Sequence, residues 1–181
     1  FPIALFGFEK NENLFLDDSG WSASYIPMMV EREPFLIGYQ GASENDLKPI
    51  VSIDIESPKI SEDQGQALFD DNSQTTDFLK TMMTKLESLH HGHEHNKGFI
   101  LALTAADLLE PFTLEITLDN GSTNQLVGFY TINEEKLLEL DGATLEDLNK
   151  QGFLQPIYMA VASYARIRAL IDKKNAVENS K

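Results

Sequence analysis

The stretch GFYTINEEKLLELDGATLEDLNKQGFLQPIYMAVASYARIRAL, residues 128–170, decides how the rest of the chain is read. It opens as the end of a strand. Asn133 then stands ahead of Glu134 and Glu135, a side-chain acceptor followed by two acids, which is what the N-terminus of a helix asks for. Thr144 with Asp147 three residues on reads as a capping-box-like start of a second helix, and Gly152 as its end. Pro156 falls in the first turn of a long closing helix. Its apolar side carries Ile157, Val161, Tyr164, Ile167, Leu170 and Ile171 and is expected to pack on a sheet, with the chain after Asp172 fraying.

Upstream of this stretch, Leu114, Ile116 and Leu118 alternate with polar residues, the pattern of a half-buried strand. Asp119-Asn120-Gly121 supplies the positive φ that a tight hairpin needs, and residues 123–132 are the returning strand. Further back the period changes. Phe78, Met82, Leu86, Leu89 and His93 recur at helical steps behind a Thr76 or Asp77 cap. Gly92 and Gly98 each cost about 1 kcal/mol in a helix interior and leave room for a break into two helices. Helical pattern resumes at Phe99, with Asp107 opening a final turn before Pro111.

The first half reads as strands over residues 1–8, 14–16, 35–39 and 49–55. A turn lies at Asp17-Asp18-Ser19-Gly20, and a short helix with Ser24 as cap and Pro27 in its first turn. Residues 41–48 form a polar loop; 57–75 are irregular apart from a turn of helix near Glu62 to Phe69. Strands, helix, hairpin and helices in that order define an α+β fold. The expectation is a single domain over residues 1–181. Its antiparallel or mixed sheet has about five to six strands, packed by several helices including a long C-terminal one.

Composition narrows the function more than it identifies it. At 181 residues, 42% apolar and 24% charged, the chain is long enough to bury a real core. A formal charge of −15 repels nucleic-acid phosphates and anionic lipid heads, so neither is expected as a partner. No run of about 18 apolar residues marks a membrane span. The absence of cysteine excludes disulfides, thiolate nucleophiles and Cys-based zinc sites. The expected compartment is the cytoplasm, with the periplasm equally compatible. The chain opens on Phe1-Pro2 rather than Met, and an upstream segment is expected.

Four patches together carry a family likeness. The first is Trp21 to Pro27 leading to Glu33-Pro34-Phe35. The second is Ile53-Asp54 with Ser57-Pro58, Gly65 and Leu68-Phe69; the third is Leu108 to Pro111 with the Asp119-to-Gly121 turn. The fourth, the most distinctive, runs from Gly128-Phe129-Tyr130 to Ile157-Tyr158. Across most of its length the chain resembles the SapC family of bacterial proteins, named for a gene in a surface-array (S-layer) cluster. The family begins before residue 1 and shows two basic residues ahead of its Pro-Phe, where this chain has Glu31-Arg32-Glu33. The resemblance carries over no catalytic residue. Its gene neighbours, TonB-dependent receptors, tryptophan halogenases and cupin-like proteins, imply an accessory role in surface export, uptake or peptide modification.

Two constellations are candidates for chemistry. His90-His91-Gly92-His93-Glu94-His95 holds every histidine of the chain. On a helix His90 with Glu94, and His91 with His95, are i, i+4 pairs able to share a divalent metal such as zinc or iron, although the spacing is not the H-E-x-x-H of metalloproteases. The bland reading is a solvated His-rich turn. Trp21, Tyr25, Arg32, Asp54 and Glu56 come from the family-like patches. The aromatics beside Arg32 suit a peptide or flat ring, and Asp54 with Glu56 would share a strand face as an acid/base pair. Their bland reading is core aromatics, a local ion pair and surface acids. Asp17 to Gly20 lacks the calcium-loop pattern, and no nucleophile elbow, P-loop or dinucleotide fingerprint occurs.

The first expectation is therefore an accessory protein that binds a protein or peptide partner without a cofactor. A metal-dependent peptide-modifying oxygenase or hydrolase built on His90, His91, Glu94 and His95 is the second. A small-ligand module with a Trp21/Tyr25/Arg32 cleft is the third. None fixes an oligomeric state.

Overall fold

The computed structural model describes residues 1–41, 43 and 46–180. The polar loop expected at 41–48 thus lies partly outside the described residues. Two compact units emerge: residues 1–22 with 96–181, and residues 23–95.

In the second unit a four-residue helix, Met28–Glu31 (α1), starts directly after Pro27, whose ψ of 137° is extended. Pro27, not Ser24, is the capping position, because the chain enters the helix without a side-chain acceptor. Phe35–Gln40 and Lys48–Ile53 (β3 and β4, after two short strands of the first unit) pair antiparallel, Phe35 opposite Ile53 and Tyr39 opposite Pro49. Residues 54–75 are irregular and hold no helix, Phe69 and Thr75 making one isolated bridge. The Thr76 hydroxyl oxygen then accepts from Leu79 N–H at 3.3 Å while its O–H donates to the Ala67 carbonyl at 2.7 Å. This cap opens Asp77–Ala105 (α2), whose residues 77–95 belong to this unit. Of the predicted face Met82 and Leu86 are buried, together with Leu79 and Phe35, and Phe78 packs on them with Ile37, Ile53 and Leu68.

The first unit opens with Leu16–Asp17 and Gly20–Trp21 (β1 and β2), a minimal hairpin closed where Ser19 N–H donates to Asp17 Oδ1 at 2.8 Å. This hydrogen bond, with that of the Ser19 hydroxyl, holds the Asp17 carboxyl below its usual range. The strand expected over residues 1–8 is absent; residues 1–4 are exposed, Phe8 is buried in a core and Leu5 packs against it. Leu109–Thr117 and Thr123–Ile132 (β5 and β6) form the expected hairpin, Gly121 turning at φ 81°.

Helix α2 ends not in a new turn at Asp107 but by that residue adopting φ 54°, with Leu108 N–H donating back to the Leu103 carbonyl at 2.9 Å. Glu134–Glu139 (α3) is capped as expected, Lys136 N–H donating to Asn133 Oδ1 at 2.9 Å. Gly142–Lys150 (α4) begins earlier than Thr144, because Asp141 rather than Thr144 is the cap: its Oδ1 accepts from Thr144 N–H at 2.7 Å. That bond also lowers the Asp141 pKa. The single closing helix is in fact two, Leu154–Ser163 (α5) and Arg166–Asn179 (α6). They serve different cores: Ile157 joins Phe99, Leu103, Leu108, Leu148 and Phe153, whereas Leu170 joins Phe8, Ile116, Leu118 and Leu126.

Among the described residues the α+β composition stands, with six helices, but the single sheet of five to six strands does not: the strands form three separate two-stranded antiparallel sheets. Each larger hairpin covers its apolar side with helix, or with helix and the N-terminal segment, instead of with another hairpin. Two of the edges, those of β4 and β5, also resist lateral growth. Pro49 interrupts β4, and Pro111 with a bulge between Phe112 and Leu114 interrupts β5. Nor does the tail fray after Asp172, since α6 runs on to Asn179 with Lys174 and Asn175 buried.

Candidate functional site

The second unit holds a groove of about 370 Å³. The end of α1 contributes Met29 and Arg32, strand β3 contributes Leu36, Ile37 and Tyr39, and α2 contributes Leu86, Leu89, His90 and His93. The helical members recur at i, i+3, i+4 and i+7 and so share one face. Leu36 and Ile37 are neighbours on a strand and point to opposite sides of it, so a groove lined by both runs along the strand's edge. None of the lining residues is acidic, in a chain of net charge −15.

Arg32 holds the groove's end in place. Its guanidinium donates to the Phe35 carbonyl at 2.7 Å, and Phe35 N–H donates to the Arg32 carbonyl at 2.7 Å. Among the described residues Arg32 makes no ion pair, which leaves most of its N–H fork for an incoming acceptor. Beside it, Lys85 pairs with Glu31 at 2.5 Å, which neutralises the nearest acid of α1.

The residues read from the sequence scatter. Arg32 and His90 line the groove, and His93, part of the same histidine run, joins them. Tyr25 is 72% exposed in the segment before α1 and is not part of the lining. Trp21 belongs to the first unit, where it stacks on Phe15 at 6.1 Å between ring centroids and meets Phe6 edge-on at 5.6 Å. Asp54 and Glu56 do not share a strand face: β4 ends at Ile53, and Glu56 N–H donates to Asp54 Oδ1 at 3.1 Å in a solvated turn. His91 leans towards Glu87 at 3.9 Å, and Glu94 and His95 are exposed on α2 outside the groove. Among the described residues no three His, Asp or Glu side chains converge as a metal-ligand set.

Sequence reasoning missed Met29, Leu36, Tyr39, Leu86 and Leu89 as groove-forming residues, because Met29 falls in a short helix with no motif, Leu36 and Tyr39 in a strand, and Leu86 and Leu89 on the apolar face of a helix. Their signal was present in the helical run Leu86, Leu89, His90, His93, whose apolar side ends in two imidazoles. A second cluster was also missed. In the first unit, Lys174 is 3% exposed and donates to Glu12 at 2.6 Å and Glu9 at 2.9 Å, with Glu178 at 3.1 Å. Burial works against its charge, but the hydrogen bonds to Glu12, Glu9 and Glu178 outweigh it and raise the ammonium's pKa above the usual lysine range. A lysine so firmly protonated is a structural cation, not a nucleophile or base.

An α+β chain of paired strands and six helices among its described residues, with an apolar groove that holds Arg32 and two histidines, is thus the setting for the comparisons. The SapC family matches residues 1–170, and the chain belongs to that family. Neither a curated relative nor a solved structure matches the chain. Among the described residues no helix is long and apolar enough to cross a membrane.

Proposed function

We propose that this protein is a binding module without catalytic chemistry of its own, and that it takes a segment of a partner polypeptide in the groove of its second unit. The observation that carries the reading is the groove itself: aliphatic side chains of β3 and α2 at its walls, Arg32 and two histidines at its rim. Apolar walls with a few placed polar groups are the usual make-up of a recognition site. The segment that leads into α1 also exposes apolar residues, Tyr25, Ile26 and Met28, that a polypeptide could cover. The surface-export, receptor-linked or peptide-modification setting implied by the SapC likeness is where such an accessory partner would act.

In-cell photo-crosslinking tests this. A photoreactive side chain at Leu36, in the groove, is expected to give one discrete polypeptide adduct identifiable by mass spectrometry. The same side chain at Leu138, 87% exposed on α3, is expected to give none. No adduct, or the same adducts from both positions, overturns the proposal. The metal-dependent alternative on His90, His91, Glu94 and His95 would be revived by stoichiometric metal that survives mild chelation and is lost in His91→Ala/His95→Ala.

A further inference from the structure

The hydrogen-bond parity of the β3–β4 hairpin says which backbone groups face the groove. Asp54 N–H donates to the Pro34 carbonyl at 3.0 Å, and these two residues continue the register in which Phe35 opposes Ile53. Directly opposed residues that share such a bond alternate with ones that do not. Leu36, Gly38 and Gln40 therefore bond to β4, whereas Phe35, Ile37 and Tyr39 turn their N–H and C=O groups to the open edge. Pro49, which has no N–H, fits this parity because it opposes Tyr39, an unbonded pair.

Arg32 already satisfies the outward groups of Phe35, its carbonyl taking the Phe35 N–H and its guanidinium reaching the Phe35 carbonyl. Beyond that point the edge is open. Among the described residues, the outward N–H and C=O of Ile37 and Tyr39 have no protein partner. The groove that these residues line is thus walled on one side by unpaired strand backbone and on the other by Leu86, Leu89, His90 and His93 of α2.

We infer that the partner segment binds as an extended strand added to the open edge of β3, pairing with Ile37 and Tyr39, and that it carries a carboxylate received by Arg32. The inference rests on the groove-binding reading above and specifies its mode. Strand addition draws affinity from main-chain hydrogen bonds and selectivity from alternate side chains. The side chains facing α2 meet aliphatic walls, so they are apolar. The carboxylate follows from charge: Arg32 has unspent N–H donors, and the lining has no Asp or Glu to repel it.

The test uses the whole chain and a displayed library of random 12-residue peptides, with a Leu36→Asp variant as counter-selection. Enriched peptides are expected to contain an acidic residue and to lose affinity when it becomes its amide. Each is resynthesised with single backbone N-methyl groups. Methylation at the alternate positions that face β3 is expected to weaken binding about tenfold, and methylation between them to change little. Bound peptide is expected to slow hydrogen exchange at the Ile37 and Tyr39 amides of the unmodified chain. Tyr39→Pro, which removes an outward N–H as well as the side chain, is expected to weaken binding well beyond Tyr39→Ala, which removes the side chain alone.

Binding indifferent to N-methylation, with unchanged exchange at Ile37 and Tyr39, overturns strand addition while leaving groove binding intact. Failure to enrich any peptide that distinguishes the parent chain from Leu36→Asp overturns both readings. Concentration-dependent dimerisation that protects Ile37 and Tyr39 without peptide assigns the edge to a second copy and overturns the partner segment.

Discussion

Lys174 shows how much one side chain holds in the first unit. Its ammonium joins α6 to Glu9 and Glu12, and Glu12 in turn accepts from Phe8 N–H at 2.8 Å, so this cation ties the N-terminal segment to α6. Lys174→Met is expected to cost about 3 kcal/mol in urea unfolding, the low end for breaking a buried ion pair, because the stranded carboxylates are only partly enclosed. Glu178 is 20% exposed and Glu9 58%, so both rehydrate in part. The pH dependence follows from the signs. The Glu9 carboxyl is lowered by its hydrogen bonds to Lys174 and Asn124, so its contribution is present above the unfolded carboxylate pKa and is lost as pH falls through the folded one. Lys174, raised, contributes below the unfolded lysine pKa and loses that contribution only as pH rises through its folded value. Parent stability should therefore decline on acidification below about pH 4.5, and Lys174→Met should show a shallower decline. None of this was legible in the sequence. Lys173 and Lys174 are adjacent and identical in type, and only the packing of a segment 165 residues away in sequence decides which one is buried.

At the scale of elements, locally encoded features were read correctly and context-dependent ones were not. The Asn120-Gly121 hairpin, the Asn133 cap and the Gly152 stop each depend on a few adjacent residues, and all three are present. Asn133→Ala should lower stability by about 1 kcal/mol by orphaning the Lys136 N–H, as differential scanning calorimetry or urea titration would show. The break that Gly92 and Gly98 leave room for in α2 illustrates the converse. Propensity alone disfavours them, yet the helix runs unbroken, because its apolar residues on either side are anchored in cores. Nothing lies within 4 Å of a Cβ built at Gly92, so Gly92→Ala should stabilise by about 0.5–1 kcal/mol. At Gly98 the same Cβ would meet the Phe153 ring at 3.4 Å, so Gly98→Ala should gain clearly less. Equal gains at the two sites would mean that Phe153 does not set the spacing there. The splitting of the closing helix at Tyr164 and Ala165 left no mark in the periodicity, since Val161 and Leu170 look like one stripe until they enter different cores.

For the whole molecule, charge and groove pull in opposite directions, and this gives the binding reading a kinetic signature. The α+β class was legible from element order, but the separation of the strands into three sheets was not, because an edge is closed by contacts such as Arg32 on Phe35 that no pattern announces. The same contact makes the groove invisible in sequence, as its members lie on three elements. Charge, in contrast, is fully legible. A net −15 acts over the Debye length, about 30 Å at 0.01 M salt and about 8 Å at 0.15 M, whereas Arg32 acts only at contact. A peptide bearing one glutamate is therefore repelled on approach and held only after docking. Its association rate should rise several-fold as salt increases across that range, the reverse of the usual steering of opposite charges. The dissociation rate, set by apolar walls and backbone pairing, should change less. Stopped-flow fluorescence with the glutamate peptide and its glutamine counterpart separates the two effects, because the neutral peptide should associate at a nearly salt-independent rate. An association rate that falls with salt for the glutamate peptide alone would mean that the field of Arg32 outweighs the net charge of the chain on approach, and would overturn this kinetic reading.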